Sequence, residues 1–360
     1  MRIAMIGLPA SGKSTVYRLL THGQPAQHAG RPGEASIAAV RIPDPRLDRL
    51  AILFKPKKVT PVSLELIDLP PLVKGSGKEV SGAGQLVPLL RQADAFLAVL
   101  RVFSDERVPH VEGRVDPARD AAALQLELLV ADLDLAQKRI AKIEEGVRKG
   151  KRDENLQELA ILKRCQKALE DERPLRKIAF APEEDRLLRG FQFLTAKPIL
   201  FLLNVTEYGG TLPAGIEAPK ATGDRDHAGP FPLSAKLELE LADLPHDEAS
   251  AFRAELGLDA SPVPQLLQAC HDLLDLITFF TVVGDELRAW TIARGATASK
   301  AAGTVHTDME RGFIRAEVIG CEELLHSGGM AVARKEGLLR LEGKDYRVAD
   351  GDVITIRFSV

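Results

Sequence analysis

Short apolar runs recur along much of the chain. They occupy residues 2–6, 63–67, 95–102 and 199–203, and each is followed by polar or glycine-containing sequence. Continuous apolar runs of this length are typical of strands that are buried on both faces of a parallel sheet. Because helical segments alternate with these runs, the pattern predicts an α/β fold with a doubly wound, mostly parallel sheet. Ligands of such folds bind at the carboxyl ends of the strands.

A long helical region interrupts this alternation between residues 116 and 184. Leucine and isoleucine recur there at helical spacing, with charged residues on the other faces. A glycine-containing basic stretch at residues 146–152 breaks the periodicity, which predicts two antiparallel helices joined by a basic tip. The tip is either a loop whose basic side chains are solvated or a surface whose basic side chains contact the phosphate backbone of RNA. These basic residues are Arg148, Lys149, Lys151 and Arg152.

From about residue 279 the pattern changes to alternation of apolar and polar residues, at 288–292, 312–318 and 352–358. Alternation of this kind predicts a small mixed β domain. The chain is therefore expected to contain a first part of the α/β domain (residues 1–118), a helical insertion (119–185), a second part of the α/β domain (186–277) and a C-terminal β domain (278–360). Residues 209–229 are rich in glycine, proline and charge and are expected to form a loop.

Composition narrows the class of protein. The 360 residues are 45% hydrophobic and 28% charged, with a net charge of -3, so nothing in the overall charge favours DNA or RNA as a partner. No apolar run is close to the length of a membrane-spanning helix, which needs about 18 residues. The three cysteines, Cys165, Cys270 and Cys321, lie far apart, which favours core thiols and a cytoplasmic protein over disulfides or zinc.

The most specific motif follows the first apolar run. Residues Gly7-Leu8-Pro9-Ala10-Ser11-Gly12-Lys13-Ser14 match the pattern G-x-x-x-x-G-K-S, and Thr15 opens a segment of helical spacing. In such a loop, backbone N–H groups surround phosphate oxygens, the lysine reaches the outer phosphates and the serine hydroxyl binds Mg2+. The alternative is a turn between strand and helix that binds no ligand. The context of strand, loop and helix favours the phosphate-binding loop.

A carboxylate is needed to complete the metal site of such a loop. Asp68 directly follows the apolar run 63–67, at the end of a predicted strand. Together with Ser14 it is our candidate ligand for a Mg2+ ion that lies between the β- and γ-phosphates. A helix cap or turn is the alternative role for Asp68.

Two further strand ends carry candidate residues for base recognition. Asn204, Val205 and Glu207 follow one apolar run, and the triplet Ser234-Ala235-Lys236 follows a second. In GTPases the corresponding motifs are N-K-x-D and S-A-K, and the aspartate accepts two hydrogen bonds from guanine. Here valine replaces the lysine and glutamate replaces the aspartate, so the base preference is expected to differ.

Over nearly its whole length the chain resembles the YchF, or Obg-like ATPase, branch of the translation-factor GTPases. The matching segments are residues 7–9, 12–15, 43–48, 72–75, 131–134, 204–207, 288–292, 306–308 and 312–316. The resemblance implies a P-loop G domain interrupted by a helical coiled-coil insertion, followed by a TGS domain of β-grasp form. The N-x-x-E variant of the family goes with a preference for ATP over GTP, whereas Ser234-Ala235-Lys236 looks more GTPase-like. ATP is therefore the favoured nucleotide and GTP the alternative, each with Mg2+ as the cofactor. A ribosome or RNA partner would bind through the helical arm and the TGS-like domain.

The chain departs from this family within the catalytic machinery. Ala10 stands where the family has an asparagine that assists hydrolysis through a monovalent cation, and Pro71 replaces the glycine of the D-x-x-G motif. Proline has no N–H to offer a γ-phosphate. Leu72 occupies the position at which many GTPases use a glutamine to orient water. The threonine expected to close over the metal falls at Pro32, with Ser36 as a substitute if the loop shifts.

Three functions remain open from the sequence. The first is a slow molecular switch, a weak ATPase or GTPase whose nucleotide state acts on a ribosomal or RNA partner. The second is a catalytically degenerate adaptor, which binds the nucleotide as a structural component without turning it over. The departure at Pro70-Pro71 favours this second function. The third is a small-molecule phosphotransferase, since residues 9–15 also resemble the loops of nucleotide and sugar kinases. The TGS-like tail and the pair Asn204 and Glu207 favour the first two.

Overall fold

The computed structural model describes residues 1–23, 35–72, 86–149, 156–208, 230–258 and 260–359. Several sequence predictions fall outside these residues. They are the position of Pro32, most of the motif at residues 72–75, the tip residues Lys151 and Arg152, and the loop at residues 209–229.

Strands and helices alternate through the first part of the chain and mix through the last. The strands are β1 (Arg2–Ile6), β2 (Ser36–Arg41), β3 (Lys58–Thr60), β4 (Ser63–Asp68), β5 (Ala95–Arg101), β6 (Ile199–Asn204), β7 (Phe231–Leu233), β8 (Leu276–Val283), β9 (Glu286–Ala293), β10 (Phe313–Gly320), β11 (Arg340–Glu342) and β12 (Asp352–Phe358). The helices are α1 (Lys13–Leu20), α2 (Pro45–Phe54), α3 (Leu86–Gln92), α4 (Pro117–Arg148), α5 (Leu156–Glu170), α6 (Pro182–Arg189), α7 (Ala235–Ala242), α8 (His246–Glu255), α9 (Val263–Asp272), α10 (Ala298–Val305), α11 (Thr307–Arg311), α12 (Cys321–Ser327) and α13 (Met330–Lys335).

The described residues divide into two compact units. Unit 1 contains Met1–Ala39 and Glu65–Pro262, and unit 2 contains Val40–Leu64 and Val263–Val360. The four-part division into residues 1–118, 119–185, 186–277 and 278–360 remains a proposal. Within the described residues no helix is both long enough and apolar enough to cross a bilayer.

A six-stranded sheet in the order β2-β4-β1-β5-β6-β7 forms the centre of unit 1. The pairs β1 with β4, β1 with β5, β5 with β6 and β6 with β7 are parallel. All residues of β5 and β6 are buried, as their apolar runs require. The predicted α/β fold and the four predicted strands are therefore confirmed, and the carboxyl ends of β1, β4, β5 and β6 meet at one edge.

The predicted helical arm consists of α4 and α5. Asp116 caps α4, because its carboxylate accepts a hydrogen bond from the N–H of Arg119 at 3.1 Å, and Pro117 occupies the first turn. A buried apolar cluster joins the two helices and includes Ile140, Ile161 and Leu162. An ion pair of 2.6 Å between Arg139 and Glu158 adds a polar link. The predicted helices are confirmed, and their packing comes from the apolar stripe of each helix.

Unit 2 is built around a second sheet, in the order β11-β10-β12-β8-β9-β3. Alternating residues of its strands enter two buried clusters. Phe279 and Val318 belong to one cluster, whereas Phe280 and Ile319 belong to the other. Because neighbouring residues of a strand point to opposite faces, this alternation places apolar packing on both faces of the sheet. The mixed β domain predicted at the C-terminus is confirmed.

The three cysteines behave as core residues. Cys165, Cys270 and Cys321 are free and buried. Burial raises the pKa of the Cys165 and Cys321 thiols to about 11 and that of Cys270 to about 12. Thiols with such values carry little thiolate at neutral pH and are poor nucleophiles. The expectation of core thiols is confirmed.

A buried carboxylate joins the arm to the turn before β6. Asp132, on α4, accepts hydrogen bonds from the N–H of Leu194 at 2.9 Å, the N–H of Thr195 at 2.7 Å and the hydroxyl of Thr195 at 2.8 Å. Arg91 forms an ion pair with the same carboxylate at 3.3 Å. Burial raises the pKa of the Asp132 carboxyl, and these donors oppose that effect because they stabilise its charged form.

We predict that Asp132→Ala lowers the free energy of unfolding by about 3–5 kcal/mol, because the Arg91 charge and the N–H donors lose their partner inside the protein. Asp134→Ala is the matched control, since Asp134 lies on the same helix but is only partly buried, with 41% of its side chain exposed, and pairs with Lys138. Its loss should stay below about 0.5 kcal/mol. Urea denaturation of both variants measures the difference, and equal losses would contradict this assignment.

Candidate functional site

The predicted phosphate loop connects β1 to α1 and is fixed by backbone hydrogen bonds. The N–H of Ser11 donates to the carbonyl of Leu8 at 3.3 Å, and the N–H of Leu72 donates to the carbonyl of Gly7 at 3.0 Å. The loop is therefore tied to the chain that leaves β4. Ala10 has a φ of 60°, a left-handed conformation that asparagine and glycine adopt more readily than alanine.

Two glycines are required by close packing. A Cβ on Gly7 would lie 2.9 Å from the carbonyl oxygen of Val99, on the neighbouring strand β5. Gly12 has a φ of 85°, and a Cβ there would overlap the side-chain amide of Asn204. Both positions of the motif thus lack a side chain for a steric reason. At Gly12 the left-handed backbone adds a second reason.

The loop forms one side of a cavity of about 370 Å³. The cavity is lined by Leu8, Ala10, Ser11, Gly12, Lys13, Ser14, Thr15, Asp68, Leu69, Pro70 and Pro71. Most of the predicted phosphate-binding residues therefore share one cavity. Gly7 and Pro9 do not line it, and Gly7 is buried beneath the loop.

Helix α1 begins at this cavity. Gly12 is its N-cap and provides no side-chain hydrogen bond to the first turn. The first N–H groups of a helix lack partners within the helix and carry partial positive charge. Lys13 and Ser14 occupy this first turn and line the cavity. The arrangement is suited to binding an anion such as a phosphate group.

The ammonium group of Lys13 is hydrogen-bonded to residues at the end of β4. It donates hydrogen bonds to the Asp68 carboxylate and to the carbonyl of Leu69, in a largely buried setting. Tyr17 lies nearby, and the pKa of its phenol is raised by burial and by the negative charge of Asp68. The buried Tyr17 hydroxyl has no hydrogen-bond partner among the described residues.

The predicted metal ligands, Ser14 and Asp68, both line the cavity. No group of three or more His, Cys, Asp or Glu side chains that could hold a metal occurs among the described residues. Mg2+ does not require such a group, because it keeps several waters and binds one or two protein oxygens together with substrate phosphates. One hydroxyl and one carboxylate beside a helix N-terminus therefore fit Mg2+ bound with a nucleotide.

Asn204 links the phosphate loop to the predicted base-recognition residues. Its Nδ2 donates to the carbonyl of Ser11 at 3.0 Å, and its Oδ1 accepts from the N–H of Ala235 at 3.3 Å. The N–H of Val205 donates to the carbonyl of Leu233 at 3.0 Å. The motifs at residues 204–207 and 234–236 therefore lie side by side at the carboxyl ends of β6 and β7.

The outer members of these motifs are exposed to solvent. Glu207 is exposed. The side chain of Lys236 is 79% exposed, and its Nζ lies 3.9 Å from Oε1 of Glu240. Ser234 is buried, and its hydroxyl donates to the carbonyl of Thr206 at 2.8 Å. Glu207 is thus free to face a ligand, whereas Ser234 stabilises the segment that carries Glu207.

Sequence reasoning missed an aromatic residue beside the loop. The ring of Phe103 would lie 3.6 Å from a Cβ on Gly12. The backbone N–H of Phe103 donates to the carbonyl of Asn204 at 3.2 Å. Arg101 stacks on this ring at 4.5 Å and donates to the carbonyls of Phe103 and Val108. The sequence contained a signal for these residues, since Arg101 ends β5 and Phe103 follows two residues later at the same sheet edge.

Leu72 and the two prolines occupy different surroundings. The side chain of Leu72 is buried in the core of unit 1, beneath the loop. Pro70 and Pro71 line the cavity itself. The cavity wall therefore contains two consecutive residues that have no N–H to donate.

Comparison with known proteins gives matches along the whole chain. The family model YchF-GTPase_C, described as a protein of unknown function (DUF933), matches residues 276–359. The ribosome-binding ATPase YchF of Bacillus subtilis (strain 168) is 40% identical over 364 residues, which cover 99% of this chain and 98% of that protein. Obg-like ATPase 1 of Oryza sativa subsp. japonica is 34% identical over 368 residues, covering 100% and 92%. The structure of the Schizosaccharomyces pombe YchF GTPase superposes with a TM-score of 0.79 at 27% identity, covering 99% and 97%.

We predict that Gly12→Ala destabilises unit 1 more than Gly113→Ala does. Both glycines have left-handed backbones, with φ of 85° and 78°, so alanine costs about 1–2 kcal/mol at either position. Only at Gly12 does the added Cβ meet Asn204, whereas Gly113 has open space around it. Urea denaturation should show an additional loss for Gly12→Ala of about 1–3 kcal/mol from the disturbed Asn204 hydrogen bonds. Equal losses would show that the close packing does not matter.

Proposed function

The chain belongs to the YchF family of Obg-like ATPases, and we propose that it binds a purine nucleoside triphosphate with Mg2+ and uses it as a slow switch. The observation that carries this proposal is the cavity at the start of α1, which Lys13, Ser14 and Asp68 line together. An uncapped helix start, a lysine and a carboxylate are the parts that a phosphate-binding loop requires.

The polar groups of the cavity each have a role in this proposal. The N–H groups at the start of α1 hold phosphate oxygens, and Lys13 exchanges its bond to Asp68 for the outer phosphates. That exchange leaves the Asp68 carboxylate, with the hydroxyl of Ser14, to hold Mg2+. When bound, the metal neutralises charge on the β- and γ-phosphates. We assign the remaining phosphate contacts to Ala10, Ser11, Gly12 and Thr15, which line the cavity. Gly7, which is buried beneath the loop, and Pro9, which has no N–H, shape the loop without lining the cavity.

We propose that the base binds beside Asn204, Val205 and Glu207, with Ser234, Ala235 and Lys236 completing the site. Three features support this position. The Asn204 amide touches the phosphate loop, Glu207 is exposed, and the Phe103 ring lies next to Gly12. By resemblance to the Obg-like ATPases, valine and glutamate in place of the GTPase lysine and aspartate favour ATP over GTP.

Hydrolysis is proposed to be slow. A γ-phosphate sensor normally uses a backbone N–H at the position of Pro71, and proline cannot donate one. Two prolines in succession also stiffen a segment that must move when the phosphate leaves. Leu72, our sequence candidate at the position of the water-orienting glutamine, is buried in the core of unit 1, so its apolar side chain offers no hydrogen bond to an attacking water. The prolines in the cavity wall favour one competing function, the adaptor that binds nucleotide without turnover.

The proposed partner is the ribosome, in the reducing environment of the cytoplasm that three free thiols favour. The Bacillus subtilis relative is named a ribosome-binding ATPase. At the end of α4, Arg148 and Lys149 are exposed and cationic, which suits contact with RNA phosphates. We propose that this end of the arm and the TGS-like domain contact ribosomal RNA.

We predict that the protein binds Mg·ATP more tightly than Mg·GTP, and that Lys13→Ala weakens the binding of both nucleotides by at least about a hundredfold, since a charged hydrogen-bonding partner is lost. Calorimetric titration measures these affinities. Lys138→Ala, which removes an exposed lysine of α4, is the control and should bind as the wild type does.

Phosphate release from the same samples separates the three functions. Slow release to water supports the switch, and binding with no release supports the adaptor. Transfer of the phosphate to a metabolite in an acceptor screen would identify a phosphotransferase. If neither nucleotide binds, the proposed function is wrong.

We predict that the double variant Arg148→Glu, Lys149→Glu weakens co-sedimentation with ribosomes by about tenfold or more, because two phosphate contacts become repulsive. Lys138→Glu, ten residues earlier on the same helix, reverses a charge about 15 Å away. It serves as the control and should retain binding. If both variants bind like the wild type, this end of the arm is not the contact surface.

A further inference from the structure

A buried carboxylate on α7 has no role in the site as described so far. Glu238 is exposed by only 1%, and its carboxylate forms an ion pair with Arg253. Arg253 donates to both of its oxygens, at 3.0 and 2.6 Å. The hydroxyl of Ser261 donates to it at 2.8 Å, and the hydroxyl of Tyr208 donates at 3.0 Å. We call these four residues the Glu238 network.

One member of the network belongs to the proposed base site. Tyr208 directly follows Glu207, the glutamate of the motif at residues 204–207. Burial and the negative charge of Glu238 raise the pKa of the Tyr208 phenol, so the phenol stays protonated and remains a donor at neutral pH. The network therefore ties the end of this motif to α7.

Helix α7 holds the motif at three points. The N–H of Ala235 donates to the Oδ1 of Asn204, the hydroxyl of Ser234 donates to the carbonyl of Thr206, and Glu238 accepts from Tyr208. Ser234 and Glu238 are four residues apart, so they lie on the same side at the start of the helix. Residues 204, 206 and 208 are thus fixed, and Glu207 lies between two fixed neighbours.

We propose that Glu238 is a positioning residue for base recognition, which holds Tyr208 and thereby places the exposed Glu207 where its carboxylate contacts the purine. This inference rests on the proposed function, because it requires the base to bind at residues 204–207. Each donor of the network has a defined direction, so the network fixes one geometry. A displaced Tyr208 would leave the buried Glu238 carboxylate without one of its hydrogen bonds.

Tyr208→Phe tests this inference with the removal of one hydroxyl, and Glu238→Gln removes the charge. The dissociation constants of Mg·ATP, Mg·GTP and inorganic tripolyphosphate are measured for each variant and for the wild type. We expect the ratio of the ATP and GTP constants to move towards one by about fivefold to tenfold. Tripolyphosphate has no base, so its affinity should stay within about twofold of the wild-type value.

Glu317→Gln is the matched control. Glu317 is also a buried carboxylate, and it pairs with Arg334 and Arg357, but it belongs to unit 2. Its substitution should lower stability and leave the ratio of the ATP and GTP constants unchanged. This separates a general loss of stability from a specific effect on base recognition.

The outcomes distinguish this inference from the proposed function. If the wild type discriminates between the bases and both variants retain its ratio, the inference is overturned and the proposed function stands. A parallel loss of tripolyphosphate affinity also overturns the inference, because the effect is then not specific to the base. If Glu238→Gln does not fold, Tyr208→Phe decides. A wild type that binds neither nucleotide, or binds both equally, contradicts the proposed base site itself.

Discussion

The side-chain amide of Asn204 is the interaction on which the rest of the site depends. It donates to the carbonyl of Ser11 in the phosphate loop and accepts from the N–H of Ala235 at the start of α7. Its position explains why Gly12 has no side chain, since a Cβ there would overlap the amide. One buried residue therefore joins the proposed phosphate and base sites into a single surface at the carboxyl edge of the sheet.

The second constraint is electrostatic. Lys13 lies between the Asp68 carboxylate and the carbonyl of Leu69. In our proposal a triphosphate replaces these partners of Lys13, and the carboxylate then takes a cation of its own. The same short segment continues into Pro70 and Pro71, which line the cavity but have no N–H to donate. Binding and turnover thus depend on different atoms of one segment, which is why we propose strong binding together with slow hydrolysis.

Local patterns predicted the parts of the fold that local physics determines. The buried strands, the long helices and the glycine-rich loop each follow from residue spacing, and they placed Ser14 and Asp68 at one sheet edge. Long-range pairing could not be predicted in this way. Residues 40–64 group with the C-terminal residues in unit 2, and β3 pairs with β9. Neither could be predicted, because periodicity does not specify which sheet a strand joins. Glu238 was missed for a similar reason, since its partners come from distant positions in the chain.

The most direct test of this account is a crystal structure of the protein with Mg2+ and a non-hydrolysable ATP analogue. We predict that Lys13 contacts the outer phosphates, that Ser14 and Asp68 face the metal, and that the adenine lies beside Asn204 and Glu207. A structure in which Lys13 retains its bonds to Asp68 and Leu69, or in which the base lies away from the segment at residues 204–207, would contradict the single nucleotide site proposed for this protein.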